Sequence, residues 1–181
     1  MLSDWFGAPQ LAALLVLCQR GVEELHSARN TRRLLAAGGY EFGRSYYPVV
    51  VTAHLAWIAA VFALIPADAP VFAAIVAAYV LLQVIRYWII ATLGQYWTHR
   101  IITLEGAPVI RRGPYQYMRH PNYAVTIAET FLLPAAFGAL ALAIIMTAIW
   151  GAVVHYKIVL EDEALRARRA PPENRPDAPR R

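Results

Sequence analysis

Charged side chains are scarce in this chain. Asp, Glu, Lys and Arg make up 16% of its 181 residues, against about 25% in soluble domains. Hydrophobic residues reach 59% and the mean hydropathy is +0.41. So little charge cannot dress a water-facing surface, and the composition points to an integral membrane protein. Cysteine is nearly missing as well. Cys18 alone, set in an apolar run, excludes an intrachain disulfide and any paired-cysteine redox or zinc motif. It is expected to be a small buried hydrophobe. No G-x-G-x-x-G, Walker lysine loop, G-x-S-x-G elbow or HExxH pair occurs, which removes the motif basis for dinucleotide, nucleotide, serine-hydrolase and zinc-protease chemistry. The five histidines are scattered, so no metal site is expected. No basic region precedes the first apolar stretch, so no cleavable signal peptide is expected. No internal repeat is visible.

What is present is a series of apolar runs. Trp5 to Cys18 is interrupted only by Gln10 and is read as a short span. Arg20 to Arg44 is polar and basic, with Val22, Leu25, Leu34 and Leu35 suggesting a helix that continues out of the membrane to Gly38-Gly39. Pro48 to Ile65 and Pro70 to Leu93 are joined by a tight Pro-Ala-Asp-Ala-Pro turn and form an antiparallel hairpin. Gly94 to Asn122 is a long polar connection in which Val109-Ile110 is a short β-prone pair. Ordered connections of that length are usually functional. Tyr123 to Phe137 and Ala139 to Tyr156 form a second hairpin, whose last helix leaves the membrane through Lys157, Glu161 and Leu165. The expected fold class is therefore all-α, a membrane bundle of about five helices in one domain over residues 1–169. Residues 170–181, rich in Pro and Arg, are expected to be a disordered basic tail.

Charge placement supports five crossings. Of the seventeen Lys and Arg, all but Arg86 then fall on one side, while Asp4 and Asp68 lie on the other. The positive-inside rule puts the amino terminus outside and the carboxyl terminus in the cytoplasm, as in a bacterial inner membrane. The basic segments flank apolar spans, so their partner is anionic lipid and no nucleic acid is expected.

The densest polar and aromatic stretch, Gly113 to Tyr123, ends at a helix start. Backbone N–H groups there favour an anion such as a carboxylate. Arg119 and His120 add positive character. Lys157 and Glu161 lie four apart on one helical face of the same membrane side. Together these suit a zwitterionic cofactor with a carboxylate, an amine and ribose hydroxyls. As anchoring groups alone, Arg119 and His120 would mark the interface and Lys157–Glu161 a surface pair. His54, Gln83, Arg86, Glu129 and His155 sit in or near spans, where ionisable groups usually face the bundle interior and pair or serve function. Arg86 and Glu129 form a plausible buried pair. The acceptor-orienting candidates are Lys157, Arg86, Glu129 and His54.

Gly113-x-Tyr115-x3-Arg119-His120-Pro121-x-Tyr123 closely resembles the motif of the isoprenylcysteine carboxyl methyltransferase family. Lys157-x3-Glu161-Asp162-x2-Leu165 looks like its second motif, and the one-hairpin spacing fits. The resemblance covers the chain from about Gly94 onward. It implies S-adenosylmethionine as cofactor. It also implies Val109 and Ile110 as backbone contacts, Tyr115, His120, Pro121, Asn122 and Tyr123 around the cofactor, and Glu161 as a polar contact. Lys157 stands where the family has an arginine and lacks that residue's bidentate fork. The family's Phe-Gly-x2-Tyr continuation is missing after Arg166. Ser27-Ala28-Arg29-Asn30, Glu41-Phe42-Gly43 and Tyr47-Pro48 are similar to a bacterial subgroup that methylates alkylpyrones made by type III polyketide synthases.

Methyl transfer from a sulfonium is an in-line displacement that mainly needs alignment. A carboxylate or acidic enol is ionised at neutral pH and needs no base, whereas a phenol of pKa about 10 needs one. No base is evident near the motif. The expected activity is O-methylation of an acidic oxygen on a lipid-tailed acceptor, such as a prenylcysteine or an alkylpyrone, entering from the bilayer. Two alternatives stay open. The Arg-His-Pro-Asn-Tyr string also recurs in NADPH-dependent sterol reductases, and a membrane adaptor would bind no cofactor.

Overall fold

The computed structural model describes residues 5–169, with side chains through residue 164; the expected basic tail lies outside the described residues. Five α-helices carry the fold: α1 (Ala8–Ala36), α2 (Tyr46–Leu64), α3 (Ala73–Leu93), α4 (Pro121–Ala135) and α5 (Leu140–Arg169). This is the expected all-α membrane bundle. Three helices are long and apolar enough to cross a membrane, Tyr46–Leu64, Ala73–Tyr96 and Leu140–Ala164. The 15 residues of α4 reach about 22 Å at 1.5 Å per residue, short of a hydrocarbon core of about 30 Å. Large apolar side chains such as Leu55, Leu81, Val84 and Ile144 stand exposed, the face such helices turn to lipid.

The first helix continues out of the first apolar run, as expected. It runs unbroken from Ala8 to Ala36, because nothing between Cys18 and Arg20 breaks a helix, and it ends just before Gly38-Gly39 as read. Cys18 is exposed, not buried. It lies beside Leu14, Leu15 and Leu17 on the outer apolar face of α1, where a small hydrophobe is equally suited to lipid. Gln10 is buried and closes the far end of α2: its Nε2 donates to Phe62 O at 2.9 Å and Ile65 O at 2.8 Å. Those carbonyls have no partner within a helix that stops there. Gly7 lies so close to the α2–α3 turn that a Cβ would sit 1.9 Å from Ala67 O.

The polar connection holds the one sheet among the described residues. The strand is β2 (Ile101–Thr103), not Val109-Ile110, and it pairs antiparallel with β1 (Tyr40–Phe42) with Glu41 opposite Ile102. Before β2 lies a 3-10 turn (Gly94–Tyr96), and a second (Gly113–Gln116) opens the motif stretch. Gly113 has φ +56°, and a Cβ there would meet Thr92 Oγ1 at 2.7 Å, so the motif glycine both allows the left-handed turn and lets it lie against α3. At the end of the bundle away from the sheet, Trp57, Val61, Ile65, Leu133 and Phe137 form the apolar core.

Candidate active site

Pro121 begins α4 at the first helical turn, where a missing N–H costs nothing. This aims Asn122 and Tyr123 toward α5. The Tyr123 hydroxyl donates to the Glu161 carboxylate. His120 stacks on Tyr123 with ring centroids 5.2 Å apart, and its Nδ1 lies 3.4 Å from Glu161. Lys157 Nζ stands 3.9 Å from the same carboxylate and 5.1 Å from the Tyr123 ring centroid. It donates to His99 O at 3.1 Å. Two segments 38 residues apart thus converge on Glu161.

Two cavities meet at this cluster. One, of about 310 Å³, is lined by Tyr115, Arg119, His120, Glu161 and the stretch from Tyr96 through Thr103 apart from His99. The other, of about 260 Å³, lies among the helices and is lined by Tyr46, Val50, His54, Trp150 and Val154 on mostly apolar walls. Leu17 and Leu55, both exposed on the outer faces of α1 and α2, stand at its edge. Asn122, Tyr123 and Lys157 line both cavities and form the partition. Two buried oxygens at the first cavity, Asn122 Oδ1 and Thr103 Oγ1, have no hydrogen-bond partner among the described residues. Such orphans are costly unless a bound molecule satisfies them. Burial and the Glu161 carboxylate push the Tyr115 phenol above its ordinary range, so it stays a hydrogen-bond donor.

Of the residues singled out in the sequence, Tyr115, His120, Asn122, Tyr123, Lys157 and Glu161 come together around the first cavity. Pro121 is buried behind it and Val109 is exposed; neither lines either cavity. Ile110 lines a third, adjoining cavity of about 250 Å³ that shares Leu93, Tyr96, Ile102 and Tyr115 with the first. His54 faces the apolar cavity and packs edge-on against Trp150, centroids 4.6 Å apart. His155 is exposed rather than facing the bundle interior.

Arg86 and Glu129 do pair, at 3.4 Å, within a larger buried network. Arg86 grips Glu23 bidentately at 2.7 and 2.6 Å. Arg20 bridges Glu23 and Glu129, both at 2.7 Å, and Gln83 donates to Glu129 at 2.9 Å. The two arginines and two carboxylates balance, as groups at membrane depth must. Arg86 lines the apolar cavity and Glu129 does not, and the Arg86 donors are taken up by Glu23, Glu129 and Thr126.

The amino-terminal half braces the segment that walls the site, although the cofactor half was expected only from about Gly94 onward. Asn30 donates to Gly94 O and Trp97 O, both at 2.9 Å. Ser27 Oγ accepts from His99 N at 2.8 Å. Glu41 binds Arg100 at 2.8 Å, and Arg100 lies 4.1 Å from the Tyr47 ring centroid. The Ser27–Asn30, Glu41–Gly43 and Tyr47-Pro48 strings therefore clamp the 94–103 segment that walls both cavities. Within it, His99 and Glu24 form a pair missed in the sequence, His99 Nδ1 lying 2.7 Å from Glu24. Burial holds the His99 imidazole below its usual value despite that carboxylate. Burial opposes ionisation of Glu24, but hydrogen bonds from His99 and Tyr47 outweigh it and lower its carboxyl. The pair at neutral pH is thus a neutral imidazole donating to a carboxylate.

Residues 73–167 match the model of the isoprenylcysteine carboxyl methyltransferase (ICMT) family. The chain is 33% identical over 159 residues to the uncharacterized protein YpbQ of Bacillus subtilis (strain 168), covering 86% of this chain and 94% of that protein. No solved structure matches it.

Proposed function

Because the chain belongs to the isoprenylcysteine carboxyl methyltransferase family, a family of membrane methyltransferases, we propose that it is an S-adenosylmethionine-dependent O-methyltransferase acting on a lipid-tailed acceptor. The observation that carries this reading is the pair of cavities, one polar and one apolar, that share Asn122, Tyr123 and Lys157 as a common wall. A transfer between a polar donor and a greasy acceptor needs two such compartments and a place where they touch. Nothing in the fold or the comparisons favours the hydride-transfer alternative.

The residues of the polar cavity fit the donor. Glu161 offers a carboxylate to an ammonium or ribose hydroxyl, and Asn122 Oδ1 and Thr103 Oγ1 are buried oxygens in want of a donor. Tyr115 and His120 supply aromatic surface, and Arg119 offers a cation to a carboxylate. Ile110 lines the adjoining cavity, while the exposed Val109 and the buried Pro121 line neither of the two main cavities. S-adenosylmethionine, when bound, supplies a methyl group on an electrophilic sulfonium sulfur. The chain's own contribution is alignment across the partition and exclusion of water from it.

The acceptor enters between Leu17 and Leu55 from the bilayer, its tail along the apolar walls and its acidic oxygen drawn toward Lys157. That ammonium is a point charge held by His99 O and Glu161, and attracts an anion without the fork an arginine would offer. Prenylcysteine carboxylates and alkylpyrone enols both meet these terms. The orientation that fits is amino terminus outside, with the polar cavity on the cytoplasmic side of a bacterial inner membrane. Titration calorimetry of the solubilised protein with S-adenosylhomocysteine tests the donor half, and labelled methyl transfer to a prenylcysteine and to an alkylpyrone tests the acceptor half. A protein that binds no S-adenosylhomocysteine sinks the proposal.

A further inference from the structure

We propose that His99 is the catalytic base of the transfer, held in place by Glu24 as its positioning residue, and that the enzyme accepts hydroxyls still protonated at neutral pH. Such acceptors are phenols or weakly acidic enols on an apolar tail. The inference rests on the methyl-transfer reading above and adds the group that acceptors of this kind require.

The placement of His99 carries it. Its backbone N–H donates to Ser27 Oγ at 2.8 Å. Its carbonyl accepts from Lys157 Nζ, the partition lysine, at 3.1 Å. Its Nδ1 lies 2.7 Å from Glu24 Oε2, and Trp97 meets the ring edge-on with centroids 4.7 Å apart. Three of its four polar groups are thus tied to the frame. The fourth, Nε2, has no hydrogen-bond partner among the described residues, and the residue lines the apolar cavity. A carboxylate on Nδ1 fixes the tautomer that leaves Nε2 free to accept a proton, the same logic by which a third group orients a base for its nucleophile. No surface need explains this: a lone structural histidine would not require anchoring from α1 at both backbone and ring, and from α5 as well.

The step balances as follows. The acceptor O–H bond breaks and its proton goes to Nε2. The oxygen's electron pair forms the new O–CH3 bond, and the methyl–sulfur bond breaks with its pair remaining on sulfur, so the sulfonium becomes a neutral thioether. The imidazolium, stabilised by Glu24, later gives its proton to water. Charged and titratable groups facing His99 come from every packed element. Lining the same cavity are Glu24 and Arg20 from α1, Tyr46, Tyr47 and His54 from α2, Arg86 from α3, Tyr123 from α4 and Lys157 from α5. The cations disfavour the imidazolium and Glu24 favours it.

The test uses the full chain in lipid nanodiscs with labelled S-adenosylmethionine and two acceptors of equal tail length, a long-chain alkylphenol and a fatty acid. In His99→Gln, the alkylphenol rate is expected to fall about 100-fold or more. The fatty-acid rate falls far less than the alkylphenol rate, and S-adenosylhomocysteine affinity is retained. In the wild type the alkylphenol rate rises with pH as His99 loses its proton. Glu24→Gln moves that limb to lower pH, because the imidazolium loses its carboxylate. The inference is overturned if wild type does not methylate the alkylphenol, if His99→Gln retains the rate, or if both acceptors lose rate equally. Should His99→Gln fail to fold, an unmoved limb in Glu24→Gln overturns it. These failures leave donor binding intact; loss of donor binding in the wild type instead removes the underlying reading.

Discussion

Replacing Arg86 by methionine separates a structural from an acceptor-binding role for the most deeply buried cation. The guanidinium is 2% exposed and makes two short bonds to Glu23 at 2.7 and 2.6 Å, with longer ones of 3.4 Å to Glu129 and Thr126. Removing one partner of a buried pair costs about 3–5 kcal/mol, because the other charge is left uncompensated. Here both carboxylates keep Arg20 at 2.7 Å and Glu129 keeps Gln83, so the loss belongs at the lower end, about 3 kcal/mol. For a chain of this size that is a fall in thermal midpoint of roughly 6–12 °C. Tryptophan fluorescence of the solubilised protein, which contains buried Trp57 and Trp97, reads it directly. Arg86→Met combined with Glu23→Gln restores neutrality around Arg20 and Glu129 and recovers about 2 kcal/mol of the loss, a coupling within the range for residues in one network. A single variant melting within about 2 °C of wild type, or a double variant no better than the single, refutes the reasoning. An Arg86→Met protein of unchanged midpoint but raised acceptor KM would show that the guanidinium grips the acceptor instead.

Three further outcomes are expected. Glu161→Gln removes a carboxylate on which Tyr123, His120 and Lys157 converge; a lost charge-assisted hydrogen bond of about 1.5–3 kcal/mol weakens S-adenosylhomocysteine binding roughly 10- to 150-fold in calorimetry. Thr103→Val deletes an orphaned hydroxyl at nearly constant shape, so the thermal midpoint holds or rises while donor affinity falls; a lower midpoint with unchanged affinity would show that the hydroxyl serves the fold. Acid should destabilise the protein in two stages. The His99 value is depressed from 6.5, so the unfolded chain binds its proton first and stability drops as pH falls from about 6.5 through the folded value. The Glu24 value is depressed from 4.5, so its contribution is complete above that pH and lost as pH falls through the folded value. Chemical denaturation from pH 8 to 4 should show less loss in His99→Gln, and an equal loss would contradict the burial argument.

Much of the site was legible because it rests on local chemistry. Gly113, Pro121 and the spacing of Lys157 and Glu161 each state a requirement within a few residues: a left-handed turn, a helix start, one helical face. The hidden part is non-local. The strand Ile101–Thr103 has a partner some sixty residues earlier, at Tyr40–Phe42, and three residues of β-propensity look no different from Val109-Ile110 until that partner is present. Glu23 and Glu24 read as ordinary polar positions on a helix leaving the membrane. Only the approach of α3 and of the 94–103 segment makes one a buried counter-charge and the other the partner of His99.

Hydropathy, helix periodicity and capping act over neighbouring residues, so the membrane class, the run of helices and the split Gly113–Tyr123 and Lys157–Glu161 cluster are already legible in the chain. The tertiary structure decided that α1 and the β1 strand complete the site, that Arg86 belongs to a neutral buried network, and that two cavities share one wall. Those outcomes depend on groups far apart in the chain. Their energies come from desolvation and pairing, which exist only once the helices have packed.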